Sequence, residues 1–76
     1  MKTSTVLILG ARGRFGLAAV RAFAQAGWQV KAQVRPGKAP ADELSRLPGV
    51  STIAISLDDP QALLRAAEEA SVVVHA

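Results

Sequence analysis

Hydrophobic side chains change their spacing several times along this chain, and each change marks an element. Thr5 to Leu9 (TVLIL) is an unbroken apolar, β-branched run that halts at Gly10. Such a run fits a strand covered on both faces, as in a parallel sheet. From Arg14 the spacing becomes helical, with Phe15, Ala19, Phe23 and Ala26 on one predicted buried stripe. Gly27 stands where a helix closes on a left-handed residue. Trp28 to Val34 (WQVKAQV) alternates apolar and polar residues, which predicts a second strand ended by Pro36-Gly37.

The alternation of types continues. Pro40 to Leu47 (PADELSRL) is a short helix candidate with Asp42 and Glu43 in its first turn, and Pro48-Gly49 ends it. Val50 to Leu57 contains a third strand, strongest at Thr52 to Ile55. Asp59-Pro60 reads as a helix cap followed by proline at the first helical position. Leu63, Leu64, Ala67 and Ala70 mark the expected buried face of the helix that follows, and Ser71 to His75 is a fourth strand. Strands alternating with helices imply an α/β fold with a parallel sheet and right-handed crossovers. The expected strand order is 3-2-1-4, with helices on both faces.

Candidate chemistry concentrates in Gly10-Ala11-Arg12-Gly13-Arg14-Phe15-Gly16, between the first strand and the first helix. Each glycine has a mechanical reason. Gly10 makes the tight turn, Gly13 lets backbone approach a pyrophosphate, and Gly16 lets helix and sheet pack closely. The helix start then offers unpaired N–H groups and a positive dipole end to an anion. No lysine followed by serine or threonine occurs in the loop, so a Walker-type phosphate loop does not fit.

With TVLIL leading into GARGRFG, QVRPGK closing the second strand and SLDDPQAL after the third, the sequence resembles extended or atypical short-chain dehydrogenases/reductases. That group includes epimerase-like and NmrA-like members. The resemblance implies that residues 1–76 are the N-terminal part of an NAD(P)-binding Rossmann domain, ending after the fourth strand. It also implies cofactor contacts from Gly10, Ala11, Arg12, Gly13, Arg14, Phe15 and Gly16, and from Leu57 and Asp58 beside the adenine. Asp58 has the alternative of a second capping or solvated carboxylate. The family's catalytic Tyr-x-x-x-Lys pair has no counterpart, since the chain contains no tyrosine.

Cofactor preference turns on the end of the second strand. NAD-specific folds place an acid there to bond the ribose hydroxyls, but this chain reads Gln33-Val34-Arg35, with no acid before Asp42. Arginine suits a 2′-phosphate because its planar fork pairs with phosphate oxygens. Arg12 is similar to a basic residue that NADP-dependent relatives carry in the glycine loop. NADP is therefore expected over NAD, against the alternative that Arg35 and Lys38 are solvated turn residues. His75 ends the fourth strand and is expected to serve packing.

Composition adjusts the picture without redirecting it. Half of the residues are hydrophobic and 20% are charged, a globular balance. Cysteine is absent and there is one histidine, so neither disulfides nor a thiolate metal site can form. No apolar run approaches the roughly 20 residues of a membrane span, and a cytoplasmic setting is expected. Seven basic and no acidic side chains lie in residues 1–38, while residues 39–76 hold two basic and all six acidic ones. A basic half implies an anionic partner. Nucleic acid is disfavoured, because aromatic platforms and any recognised nucleic-acid module are missing.

Two functional classes follow: the cofactor-binding segment of an oxidoreductase or epimerase, or a non-catalytic NADP-sensing regulator. The short chain and its apolar fourth strand also predict a homodimer through that strand's edge or a bare sheet face.

Overall fold

A computed structural model describes residues 4–11, 13–37, 44 and 46–75. The elements are β1 (Thr5–Leu9), α1 (Arg14–Gln25), β2 (Gln29–Val34), β3 (Val50–Ala54), α2 (Pro60–Glu68) and β4 (Val72–His75). All pairings are parallel and the strands lie in the order β3-β2-β1-β4. The helix expected over 40–47 falls largely outside the described residues. Leu44 within it is buried and joins the core.

Alternation along β1 assigns the faces. Val6 and Ile8 pack with Val20 of α1, Val30, Ala32 and Leu44 in one buried cluster. Leu7 points the opposite way, where it bounds a groove with Leu9, Val73 and the α2 residues Pro60, Leu63, Leu64 and Ala67. The two helices thus cover opposite faces of the sheet. Their covers are unequal. The groove beside α2 holds about 320 Å³, and no α2 residue is fully buried.

Two expected helix faces are corrected. Of the stripe expected on α1, Ala19 and Phe23 do pack against the core, but Phe15 is 82% exposed and Ala26 is exposed, whereas Gly16 and Val20 are buried with Leu17 and Ala24 beside them. Gly16 must face β1, which rotates Phe15 outward. On α2, Leu64 is 62% exposed because a lone nine-residue helix cannot span the face it crosses. β4 likewise starts at Val72 and is mostly exposed, His75 included, so His75 serves no core packing.

Both ends of α1 are fixed by backbone geometry. At its start, a Cβ on Gly16 would lie 2.0 Å from the Gly10 carbonyl oxygen and 2.8 Å from the Ala11 Cα. At its end, Gly27 takes φ +87°. Its N–H donates to the Ala24 carbonyl at 3.1 Å and the Trp28 N–H to the Phe23 carbonyl at 3.0 Å. This is the Schellman arrangement, and its usual hydrophobic contact is present. The Phe23 and Trp28 rings meet edge-on with centroids 5.0 Å apart. On α2, the expected cap is present: Asp59 Oδ1 accepts the Ala62 N–H at 3.1 Å, with Pro60 in the first turn.

Lys31, on the α2 face of β2, pairs with Glu69 just past the end of α2. The Lys31 hydrogen bond and charge hold the Glu69 carboxyl below its ordinary value. A depressed carboxyl stabilises the fold above the unfolded-state pKa, and the contribution is lost as pH falls through the depressed value. Glu69→Gln should therefore lower the thermal midpoint slightly near about pH 7 and by less near about pH 3. An equal loss at both pH values would refute this coupling. Gly16→Ala tests the helix docking. It should cost about 2–3 kcal/mol, since the methyl meets backbone with no side chain to yield, read as a lower urea midpoint.

Candidate functional site

The candidate site lies at the carboxyl ends of β1, β2 and β3, where the sequence turns into loops carrying the glycines, Arg35 and Asp58. Open parallel sheets bind ligands at this end, beside the point where strand order reverses. Here that point falls between β1 and β4, since β2 and β3 lie to one side of β1 and β4 to the other.

The first loop is shaped by three glycines with distinct constraints. Gly10 has φ +72°, a left-handed turn that a side chain disfavours. Its carbonyl accepts the Gly13 N–H at 3.0 Å, which closes the turn. Gly16 is excluded from bearing a side chain by the backbone contact described above. Gly13 differs. Its φ is −73°, and among the described residues a Cβ there would meet only the Gly10 oxygen, at 3.4 Å. The chain's own packing does not require glycine at this position. Gly13 also begins α1 without any side-chain cap, and its carbonyl accepts the Leu17 N–H at 2.8 Å. First-turn N–H groups of a helix have no partner within the helix, and none here is capped from the Gly13 position.

Gln33 ties this loop to its neighbours. It is the one buried polar side chain among the described residues, at 2% exposure. Its Oε1 accepts the Gly10 N–H at 2.9 Å, and its Nε2 donates to the Ile55 carbonyl at 2.5 Å. Its own backbone carbonyl accepts the Ala11 N–H at 3.2 Å. The Ile55 N–H in turn donates to the Val34 carbonyl at 3.1 Å. One residue of β2 therefore joins the loops that follow β1 and β3. Alternation in WQVKAQV marks Gln33 only as a polar position, and its role was missed. The available signal was a long amide near the end of an inner strand, where both faces are covered and each polar atom needs a partner.

The other expected site residues divide cleanly. Gly10, Ala11 and Gly13 lie in the loop, Arg14 and Phe15 are exposed at the start of α1, and Gly16 is buried in its first turn. Arg12 lies outside the described residues. Arg35 is exposed immediately after β2, two residues from the Gln33 bridge. Leu57 and Asp58 are exposed beyond Ile55. The Asp58 N–H donates to the Ser56 hydroxyl at 3.1 Å, while the helix is capped by Asp59, not by Asp58. The Asp58 side chain is exposed and takes no part in the cap. Among the described residues, no group of His, Cys, Asp and Glu is arranged to hold a metal ion. None of the helices there is long and apolar enough to cross a membrane.

Comparison with known proteins places this arrangement. The family model described as NmrA-like family matches residues 2–76. A protein from Burkholderia cenocepacia J2315 described as an epimerase superposes with a TM-score of 0.75 at 26% identity. The match covers 96% of this chain and 24% of that one. An isoflavone reductase superposes with a TM-score of 0.77, also at 26% identity, covering 99% of this chain and 27% of the other. This chain thus spans about a quarter of the length of these structural relatives. No curated protein matches its sequence. With its glycine loop, parallel sheet and strand order, the chain belongs to the NmrA-like family and carries that family's NAD(P)-binding Rossmann-type segment.

Proposed function

We propose that this chain grips the adenosine half of NADP(H), with the pyrophosphate on the α1 start and the 2′-phosphate on Arg35. The observation that carries the reading is Gly13. The fold has room for a side chain there, yet the position is glycine, and it opens the approach to uncapped helical N–H groups. A pyrophosphate matches that space in charge and in hydrogen-bonding capacity.

Preference for NADP over NAD rests on the end of β2. Arg35 is exposed there and no acid occurs before Asp42. A guanidinium attracts the 2′-phosphate, and the carboxylate that would bond free ribose hydroxyls is missing. Arg12, Ala11, Arg14 and Phe15 complete the loop side of the site, and Leu57 with Asp58 the adenine side. When bound, the cofactor supplies hydride exchange. The chain's own residues bind and orient it and offer no tyrosine as a proton donor. We read residues 1–76 as the cofactor-binding part of a larger cytoplasmic Rossmann domain, in either an oxidoreductase or epimerase or a non-catalytic NADP sensor. The isoflavone reductase likeness favours the first.

Self-association belongs to the same reading. Val72 and Val73 on edge strand β4 are 38% and 46% exposed, with Leu64 exposed beside the α2 groove. An apolar, unguarded edge is a template for pairing with a second copy about a twofold axis.

Titration calorimetry on the purified chain should show tighter binding of NADP+ than of NAD+. Arg35→Ala should shrink that gap by about tenfold or more, the worth of a charge-assisted hydrogen bond. Equal affinities in the unaltered chain would overturn the preference. Gly13→Ala should weaken both cofactors while leaving the thermal midpoint nearly unchanged, in contrast to Gly16→Ala; unchanged binding would remove the pyrophosphate from this loop. Sedimentation at micromolar concentration should give twice the chain mass, and Val73→Lys should shift it toward monomer. A stable monomeric wild type would refute the dimer.

A further inference from the structure

We infer that Gln33 is a positioning residue for dinucleotide binding, holding the phosphate loop and the loop after β3 in one binding-competent arrangement. This rests on the proposal that the site binds a dinucleotide. Gln33 does not itself face the ligand space: it is buried inside the sheet, and its amide is engaged at both atoms. Its effect on a ligand acts through the groups it holds.

The bonding pattern makes the case. Gly10 follows the last residue of β1 and sits in a left-handed conformation at the root of the loop. Gln33 Oε1 takes that N–H at 2.9 Å, and the Gln33 carbonyl takes the next one, from Ala11, at 3.2 Å. Two successive peptide groups of the phosphate loop thus depend on one residue of the neighbouring strand. The opposite end of the same amide holds the Ile55 carbonyl, two residues before Leu57 and three before Asp58.

An amide is suited to this bridge because it accepts at one atom and donates at the other. Leucine or methionine in the same volume leaves the Gly10 N–H and the Ile55 carbonyl without their partners. A carboxylate accepts from Gly10 but repels the Ile55 carbonyl. Only a protonated carboxyl reproduces both bonds. The spacing between the pyrophosphate loop and the adenine-side loop is therefore set from within the sheet, ahead of ligand arrival. Such preorganisation strengthens binding by reducing the ordering that ligand must impose.

Two variants of the full chain test this, with NADP+ titrated by calorimetry and the fold monitored by circular dichroism. Gln33→Met, if folded, should weaken NADP+ binding by about tenfold or more, the effect of losing a buried hydrogen-bond partner. Gln33→Glu provides the pH readout. Its buried carboxyl has a raised pKa, so it bridges when protonated and fails when ionised. The ratio of its Kd to the wild-type Kd should rise as pH increases from about 5 to about 8. The ratio removes the opposite trend expected from ionisation of the 2′-phosphate itself. A folded Gln33→Met variant binding within about twofold of wild type overturns the inference. A pH-independent Gln33→Glu ratio does the same, and decides the matter if Gln33→Met does not fold. Failure of the wild-type chain to bind either dinucleotide would instead sink the cofactor reading, which separates the two outcomes.

Discussion

A helix can leave a strand within a few residues only if backbone is allowed to touch backbone, and that contact organises this protein. Gly16 lies so close to the Gly10 carbonyl and the Ala11 Cα that a methyl group would overlap both. The contact fixes where α1 begins, which way it rolls and how its first turn meets the end of β1. Val20, Leu17, Phe23 and Ala24 then fall against Val6, Ile8, Val30 and Ala32 as a consequence of that roll. The same roll presents the uncapped first turn to the end of the sheet where the candidate site lies. Packing and binding geometry share one cause here, so a change at Gly16 disturbs both. Gly13 lies outside that contact, since a Cβ there would stand 3.4 Å from the Gly10 oxygen.

The strand order and the alternation of elements were legible because buried parallel strands and glycine turns leave strong local marks. TVLIL is apolar on consecutive positions only because both of its faces are covered, and Val6, Leu7 and Ile8 are indeed inaccessible. Asp59-Pro60 announced a helix start by chemistry that is complete within four residues. Helix faces were less legible. Phe15 is large and apolar and fits a helical stripe, but a stripe read from hydrophobicity ignores the close approach that glycine permits. The residue that faces the sheet is the smallest one, Gly16, and the largest neighbour is turned to solvent. Along α2 and just past it, periodicity holds for the partly buried Leu63, Ala67 and Ala70 but not for Leu64, which is exposed.

Gln33 illustrates a different limit. Its two partners lie 23 and 22 residues away in the chain. No local pattern encodes such a bridge. It becomes visible only when the sheet order sets β2 between β1 and β3, which makes a polar side chain on β2 either a buried liability or a connector. With every polar atom of its amide placed, Gln33 is a connector. The glycine loop was legible for the opposite reason: a tight strand-to-helix turn and a close helix approach demand glycine at fixed offsets, as at Gly10 and Gly16, and a short motif carries them.

The two faces of the sheet also divide the work of the molecule. On the α1 face, the cluster from Val6 to Leu44 is closed to solvent, so the end of β1 and its loop rest on a rigid base. On the α2 face, an open groove of about 320 Å³ is lined by α2, β1 and β4, and the Lys31–Glu69 pair adds a polar tie there. Exposed ion pairs contribute little, so the hold on α2 comes from partial burial of Leu63, Ala66 and Ala67 and from its cap. Gln33 lies on this looser side by strand alternation, yet it is as buried as the core. Its amide fastens the loop that leads into α2 to the rigid β1 end, through Ile55. The loop that leads into α2 is therefore tied to the end of β1 through a residue of the well-packed central strands.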